Sequence, residues 1–303
     1  MKNIINIQVY PSKKRVVPNC KLAKVITNLT DPQFDNMMKG KKRGVIEMKN
    51  HKKFGKIVTY YKLVNSDNPD DTDPLSEFDR AVLSVCISEW EVGNRHTTPA
   101  IIFRGLTGKT TNRHIHKDQR AAILGSIKKM MGLILEIDLS DVNQKLKYNE
   151  GYQEKMTSAI LPAYFMTNSI NGQPIEDVIY FDRESPIMKI ARDRKQIITF
   201  DNYLLNVSKQ QNTQMNITLK NYVMVRLQEI KLHKLTPIIT FDDVFEKCRI
   251  EDANAKTKMD ARNTIIKFFE HLKSKGEITD FTVTKQRNSF YSIKFFYPPK
   301  SAR

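Results

Sequence analysis

Two stretches of the chain share one pattern of hydrophobic and polar positions. In each stretch, three segments with apolar residues at helical spacing are followed by residues that alternate as in β-strands. Capping signals mark where helices begin: Ser76 and Thr98 in the first stretch and Thr240 in the second. Three helices followed by a β-hairpin is the order of elements in a winged helix, so the pattern predicts two such domains in tandem.

The first domain is predicted to contain more strand than a winged helix needs. Its helices are predicted at 76–93, from Thr98-Pro99, and at 117–131, with a strand at 133–139. A β-hairpin is predicted before them at 45–64. Strands at 160–169 and 176–181 follow, joined by the strong hairpin signal Asn171-Gly172. A helix at 185–195 and a strand at 197–205 complete this sheet extension, and 208–216 is the predicted linker.

The second domain is predicted to hold a long helix from Thr218, a short helix from Thr240, a helix over 255–275 and a hairpin of strands 281–283 and 290–296. The predicted fold class is α+β, with two winged-helix domains in tandem and an extra β-sheet extension on the first. We divide the chain into a basic N-terminal arm (1–43), a first domain suited to dimerisation (44–210) and a second domain suited to DNA recognition (211–300).

The charge of the chain is strongly positive and unevenly placed. There are 50 Lys and Arg against 33 Asp and Glu, a net charge of +17. Residues 1–56 carry a net charge of +11, residues 57–217 of −1 and residues 218–303 of +7. Such an excess favours anionic partners, either nucleic acid or a membrane surface. Lysine-rich ends can also be merely solvated, and the neutral middle suits protein–protein contact.

Cysteine usage and hydropathy indicate a reducing, cytoplasmic location. Cys20, Cys86 and Cys248 lie far apart and form no CxxC or Cys/His pair of zinc spacing, so neither a disulfide framework nor a metal site is expected. No apolar run approaches the roughly 20 residues that cross a bilayer, and the N-terminus lacks the apolar core of a signal peptide. We expect no cofactor and no membrane partner.

The third helix of the second domain is the clearest candidate for contact with double-stranded DNA. Its core stripe is predicted from apolar spacing as Ala261, Ile265, Phe268, Phe269 and Leu272. The opposite face then presents Lys256, Asn263 and Lys267, with Arg262 on the flank. Asn can bond adenine through two contacts, and Lys or Arg can bond guanine or phosphate. The alternative is a solvated charged face, and Asp260 argues mildly against uniform phosphate binding.

Two further basic groups are candidates for DNA contact. Lys285 and Arg287 lie in the polar tip predicted between the last two strands, where a wing reaches the DNA backbone or minor groove. Arg113 and Lys117 flank the start of the third helix of the first domain. A plain solvated loop is the alternative at that second place.

The third helix of the first domain shows little positive charge on its predicted outer face. Leu124, Ile127 and Met131 form its predicted core stripe. The outer face is then the following set: Asp118, Ala122, Gly125, Ser126 and Lys129. Small residues permit close approach, so this face is expected to pack against protein, such as a second copy of the chain.

The chain resembles one protein family over about residues 45–300. The segment Pro74-Leu75-Ser76-Glu77-Phe78-Asp79-Arg80-Ala81-Val82, with Asn94-Arg95 and Thr97-Thr98-Pro99-Ala100 after it, resembles the first winged helix of tandem winged-helix replication initiator (Rep) proteins of plasmids and related mobile elements. Residues 278–293, after Gly276, resemble their second winged helix. The resemblance implies binding to repeated origin sites, dimers that repress, monomers that initiate, and recruitment of host helicase. It implies no catalytic residue.

The predicted function is therefore sequence-specific binding of duplex DNA, as a replication initiator of a plasmid, phage or mobile element and not as an enzyme. A transcriptional regulator with the same domains and a scaffold that binds only protein are alternatives. His114-Ile115-His116 matches the His-hydrophobic-His element of metal-dependent tyrosine nickases, but it lies in a helix leader. Gly105 to Thr111 lacks the first glycine of a phosphate loop, and a turn after a helix is expected there.

Overall fold

The computed structural model describes residues 11–19, 45–51, 55–61, 75–110, 115–138, 155–170, 173–193, 195–286 and 289–299. Its helices are α1 (Glu77–Glu91), α2 (Pro99–Thr107), α3 (Lys117–Gly132), α4 (Pro186–Asp193), α5 (Gln214–His233), α6 (Phe241–Lys247) and α7 (Ala255–Ser274), with a 3-10 turn at Asn202–Leu205. The mixed α+β class is confirmed.

The strands within the described residues form four antiparallel sheets. They are β1 (Lys14–Pro18), β2 (Val45–His51), β3 (Gly55–Tyr61), β4 (His96–Thr97), β5 (Leu133–Asp138), β6 (Lys155–Ala159), β7 (Ala163–Ile170), β8 (Gln173–Phe181), β9 (Ile197–Asp201), β10 (Ile238–Thr240), β11 (Asp280–Gln286) and β12 (Ser289–Phe296). The strand orders are β1-β9, β2-β3-β5-β6, β4-β8-β7 and β10-β12-β11.

The order of elements repeats along the chain. Helix, strand, helix, helix, strand, strand occurs as α1-β4-α2-α3-β5-β6 and again as α5-β10-α6-α7-β11-β12. In the second copy the short strand β10 pairs with β12 of the final hairpin, whereas in the first copy β4 pairs with β8 instead. The two copies therefore share an order but differ in sheet pairing, and winged-helix membership for both stays a prediction.

Helix α1 lies at the centre of the first hydrophobic core. Ser76 accepts a hydrogen bond from the Asp79 backbone N–H, and the Asp79 carboxylate accepts from the Ser76 backbone, so both halves of a capping box are present. From this start, Phe78, Val82 and Val85 are buried against α2, α3 and the β4-β8-β7 sheet. The capping signal in the sequence therefore placed this helix correctly.

The second core is built around α5, α6 and α7, and it reaches back before the predicted domain boundary. Phe269 on α7 lies with its ring centroid 5.6 Å from those of Phe281 and Phe295, which fastens α7 to the last hairpin. The same core includes Ile198 and Leu204 from the predicted first domain, and Val17 from the predicted arm. At the other end, Ile217 of α5 packs in the first core. One helix therefore serves both cores.

Several predicted elements differ from the structure. Residues 14–18, inside the predicted arm, form β1 and pair with β9. Helix α5 begins at Gln214, capped by Thr213, so the end of the predicted 208–216 linker is helical. The predicted strand 197–205 ends at Asp201, because a 3-10 turn follows it. Strand β6 lies between the predicted strands 133–139 and 160–169, where no strand was predicted. The turn Asn171-Gly172 lies outside the described residues.

The predicted face of α3 is wrong by about one position. Ile123, Ile127 and Met130 are the buried apolar residues, whereas Leu124 and Met131 are half-buried. Ser126, predicted on the outer face, is buried. Lys129 is also partly covered, because its Nζ lies 3.1 Å from the Asp79 carboxylate on α1. Asp118 and Gly125 are exposed as predicted, and Ala121 and Lys128 are also exposed on the outer face.

A buried arginine joins β1 to four other parts of the fold. Arg15 is 1% exposed and donates hydrogen bonds only to uncharged acceptors. These acceptors are the Asn202 side chain, the Asn221 side chain, the Ser84 hydroxyl and the backbone carbonyls of Ala81 and Gly105. Burial lowers the pKa of Arg15 to about 9, and nearby Glu89 opposes that shift. The residue therefore connects α1, α2, α5 and the 3-10 turn.

The end of α2 requires a glycine. Gly108 has φ 69°, in the left-handed region. A Cβ atom there would lie 2.2 Å from the backbone oxygen of Asn202 and 2.9 Å from the backbone nitrogen of Asn206. The predicted turn after this helix is therefore present, and its close approach to the 3-10 turn leaves no space for a side chain.

Candidate nucleic-acid interface

Helix α7 presents the predicted candidate residues on the face opposite to its core stripe. The Asn254 side chain caps the helix by accepting from the Thr257 backbone N–H at 2.9 Å. The predicted core residues Ala261, Ile265, Phe268, Phe269 and Leu272 are all buried. Because these residues fix the rotation of the helix, Lys256, Asn263 and Lys267 are exposed.

The exposed stripe of α7 alternates in charge along the helix. Lys256, Asp260, Asn263, Lys267 and Glu270 follow one another at spacings of three or four residues, and all five are exposed. Among the residues that the structure describes, no ion pair involves Lys256 or Lys267. The positive charge is therefore concentrated at two points on either side of Asn263 and is not continuous.

Arg262 lies differently from its neighbours. It is half-buried, and its guanidinium carbon is 5.2 Å from the ring centroid of Phe245 and 6.0 Å from that of Phe241, both on α6. Stacking of this kind stabilises a guanidinium over an aromatic face. The main contact of Arg262 is therefore with α6, and its role in DNA contact stays a prediction.

The remaining candidates are distributed over two other places. Lys285 is exposed near the end of β11, next to the tip of the last hairpin. Arg287 lies outside the described residues, as does Arg113. Lys117 is exposed as the first residue of α3. The structure thus keeps Lys285 and Lys117 accessible and leaves two of the eight predicted positions undescribed.

Residues 210–216 connect α7 to the start of α3. Thr264 on α7 donates from its hydroxyl to the Asn216 side chain at 3.1 Å, and Gln119 on α3 donates to the Asn212 carbonyl at 2.7 Å. The two helices that carry predicted DNA contacts are therefore fixed to one short segment. Sequence reasoning missed Thr264, although a hydroxyl on an otherwise apolar stripe was a usable signal for such a polar contact.

Positive charge accumulates around this segment. Lys220 on α5 is buried, and its Nζ donates to the Leu205 carbonyl at 3.0 Å and to the Asn212 side chain at 3.1 Å. Burial, assisted by Lys109, lowers the pKa of Lys220 to about 8. Burial also lowers the pKa of His271, with smaller effects in the same direction from Lys275 and Lys220. Burial is the largest cause of both pKa shifts, and the charged groups that add to them are lysines.

The candidate residues of a nickase do not form a metal site in the described part of the chain. His116 is exposed at the start of α3, and its Nδ1 accepts from the Asp118 backbone N–H, so it caps the helix. His114 lies outside the described residues. No group of three or more His, Cys, Asp or Glu within the described ranges is placed to hold a metal ion. Nor is any helix there long and apolar enough to cross a membrane.

Comparison with known proteins gives only a weak structural likeness. No protein-family model matches the chain, and no curated protein sequence matches it significantly. A crystal structure of domains 2 and 3 of RctB has 12% sequence identity and a TM-score of 0.40, covering 85% of this chain and 91% of its own. A second structure of the same domains has 11% identity and a TM-score of 0.40, covering 84% and 92%. Likeness of this size assigns neither family nor function.

Proposed function

We propose that this protein binds double-stranded DNA in a sequence-specific manner, as the replication initiator of a plasmid, phage or other mobile element. The observation that carries the proposal is the orientation of α7: its apolar face is buried, and Lys256, Asn263 and Lys267 are exposed in one row. A helix of this kind fits the major groove of B-DNA, whose base edges distinguish all four base pairs.

The proposed contacts divide into two kinds. Lys256 and Lys267 carry the charge that attracts phosphate, and Asn263 between them carries the amide that can pair with adenine. Lys285 at the hairpin and Lys117 at α3 are placed to add backbone contacts. The acidic residues of the stripe, Asp260 and Glu270, repel phosphate. They therefore limit phosphate contact to the lysines and favour one position of the helix along the DNA.

The family resemblance extends the proposal to partners. Repeated origin sites, a homodimer and recruitment of host helicase or other replication proteins are the associations we infer from it. No catalytic residue, metal or cofactor is part of the proposal. A footprint on DNA beside the encoding gene distinguishes the initiator from a transcriptional regulator: protection of several direct repeats supports initiation, whereas protection of a single inverted repeat contradicts it.

Replacing Lys267 by Ala is expected to weaken DNA binding about equally for all sequences, by a factor of roughly 3 to 10. The slope of the logarithm of the binding constant against the logarithm of the salt concentration should fall in magnitude by about 1. The reason is the loss of one phosphate contact. Fluorescence anisotropy with specific and random duplexes at several salt concentrations measures both quantities. Lys128→Ala on the exposed face of α3 is the matched control, because it removes an equal charge away from α7. Equal losses in both variants would contradict a localised interface.

Replacing Asn263 by Ala is expected to act on specificity instead. Removing a bidentate contact to one base costs about 1–3 kcal/mol of discrimination. Affinity for the wild-type site should fall while affinity for random DNA stays unchanged, so the preference at one base pair is lost. Competition of single-base variant duplexes at fixed salt measures this. Discrimination that is unchanged at every position of the site would refute base recognition by α7.

A further inference from the structure

A second exposed surface lies at the open end of the last hairpin. Leu235 follows the end of α5, Ile238 opens β10, and Phe296 closes β12; their exposed fractions are 45%, 38% and 42%. Ile238 pairs in register with Lys294, and the Phe295 backbone N–H donates to the Pro237 carbonyl at 3.0 Å. These three apolar side chains therefore belong to neighbouring segments, and we call their surroundings the hairpin-base patch.

The apolar side chains of the hairpin-base patch are accompanied by lysines. Lys231 and Lys234 lie at the end of α5, and Lys294 lies on β12; all three are exposed. The Nζ of Lys231 is 5.6 Å from the ring centroid of Tyr297, and the Nζ of Lys294 is 5.6 Å from that of Phe296. Cation–π contact of this kind holds an ammonium group beside an apolar surface.

Two nearby acidic groups are already paired. Asp280 lies opposite Phe296 in register, and its carboxylate is 2.7 Å from Lys273 Nζ. Glu229 on α5 lies 2.9 Å from Arg226. These neighbouring segments therefore carry three exposed lysines together with three exposed apolar side chains, and Lys294 lies beside Ile238 and Phe296. The charge of the patch complements an anionic partner, and its apolar surface requires one that also offers hydrophobic side chains.

This surface is separate from the proposed DNA contact at the tip of the hairpin. The tip of the hairpin lies between Gln286 and Ser289, whereas the patch lies at 294–296, about 20 Å along the strand at roughly 3.3 Å per residue. Duplex DNA offers a charged backbone with little apolar surface, which would leave Leu235, Ile238 and Phe296 without complementary contacts. An acidic amphipathic segment supplies both kinds of contact at once.

We propose that the hairpin-base patch binds an acidic, amphipathic segment of a partner protein. The apolar side chains of the partner segment cover Leu235, Ile238 and Phe296. The carboxylates of the same segment contact Lys231, Lys234 and Lys294. This interaction does not depend on DNA binding by α7. It gives the protein a second partner surface that stays accessible while α7 is on DNA.

The probe is a fluorescein-labelled 16-residue peptide with Leu at helical spacing on one face and Glu on the other. Its dissociation constant is expected to be on the order of 10 μM, since the patch is small. The double variant Lys231→Glu with Lys294→Glu should weaken binding at least tenfold, and Phe296→Ala about fivefold. A peptide of the same composition with dispersed Leu residues should also bind at least tenfold more weakly.

The matched control is the full-length protein with Lys256→Glu and Lys267→Glu, which has the same change in net charge. It should bind the peptide within twofold of wild type and lose DNA binding, whereas the patch variants keep DNA binding. Equal peptide binding by both double variants would overturn the proposal. It would also be overturned if the peptide with dispersed Leu residues bound the wild-type protein as tightly as the amphipathic peptide. Patch-dependent binding of phosphatidylserine vesicles without peptide binding would also overturn it. Lys294→Gln, a milder change, should still weaken peptide binding two- to threefold.

Discussion

Replacing Arg15 by Ala is expected to lower the free energy of unfolding by about 3–5 kcal/mol. The substitution creates a cavity, and it also leaves several buried acceptors without a hydrogen-bond donor. The side chain oxygens of Asn202 and Asn221 each accept from this guanidinium at 3.1 Å. Removing the donor leaves those two buried oxygens without a hydrogen-bond partner, which costs about 1–3 kcal/mol of stability for each. Urea unfolding, followed by the single tryptophan, Trp90, measures the change.

Burial of an arginine also carries a desolvation penalty, which the lowered pKa of Arg15 reflects. Arg15→Met separates the two effects: it keeps most of the packed volume and removes the charge, so its loss should be smaller than that of Arg15→Ala. Lys13→Ala, an exposed change two residues earlier, should stay within about 0.5 kcal/mol of wild type. Wild-type stability in Arg15→Ala would refute a stabilising role for the buried guanidinium and its hydrogen bonds.

Replacing Gly108 by Ala is expected to destabilise the protein by about 3 kcal/mol or more. Two costs combine: a left-handed φ of 69°, at about 1–2 kcal/mol for an L residue, and a Cβ atom 2.2 Å from the Asn202 carbonyl oxygen. The clash moves the 3-10 turn that Arg15 also contacts. Differential scanning calorimetry is the measurement, and the midpoint should fall by several degrees.

Gly93 provides a matched control for that substitution. Its φ is 90°, and a Cβ atom there would meet nothing within 4 Å. Gly93→Ala therefore carries only the cost of placing an L residue in the left-handed backbone conformation, about 1–2 kcal/mol. The difference between the two variants isolates the steric contact between α2 and the 3-10 turn. If both variants lost the same stability, the close approach at Gly108 would be refuted.

The helices with polar caps were predictable because the capping atoms are local in sequence. Ser76, Thr98 and Thr240 each accept from a backbone N–H three residues later, as their positions indicated. Strand β1 was missed for the opposite reason. Its partner β9 is about 180 residues away, and a buried Arg15 stands where the alternation of a half-buried strand would place an apolar residue.

The face of α7 was predicted correctly because five large or apolar residues fix its rotation. The exposed face of α3 was not predicted correctly, because it depends on contacts with other elements. Lys129 forms an ion pair with Asp79 on α1, and Ser126 is buried. Arg262 illustrates the same limit. Its position over Phe245 depends on how α6 packs against α7, which the spacing of residues within one helix does not encode.

Helix α5 belongs to both hydrophobic cores, since Ile217 packs in one and Leu219 and Val223 pack in the other. A force applied to α7 reaches this helix through the bond between Thr264 and Asn216. The two halves therefore cannot tilt independently without opening apolar surface. We therefore expect α5 to couple the positions of the two cores, because moving one core relative to the other would expose Ile217 or Leu219 to water.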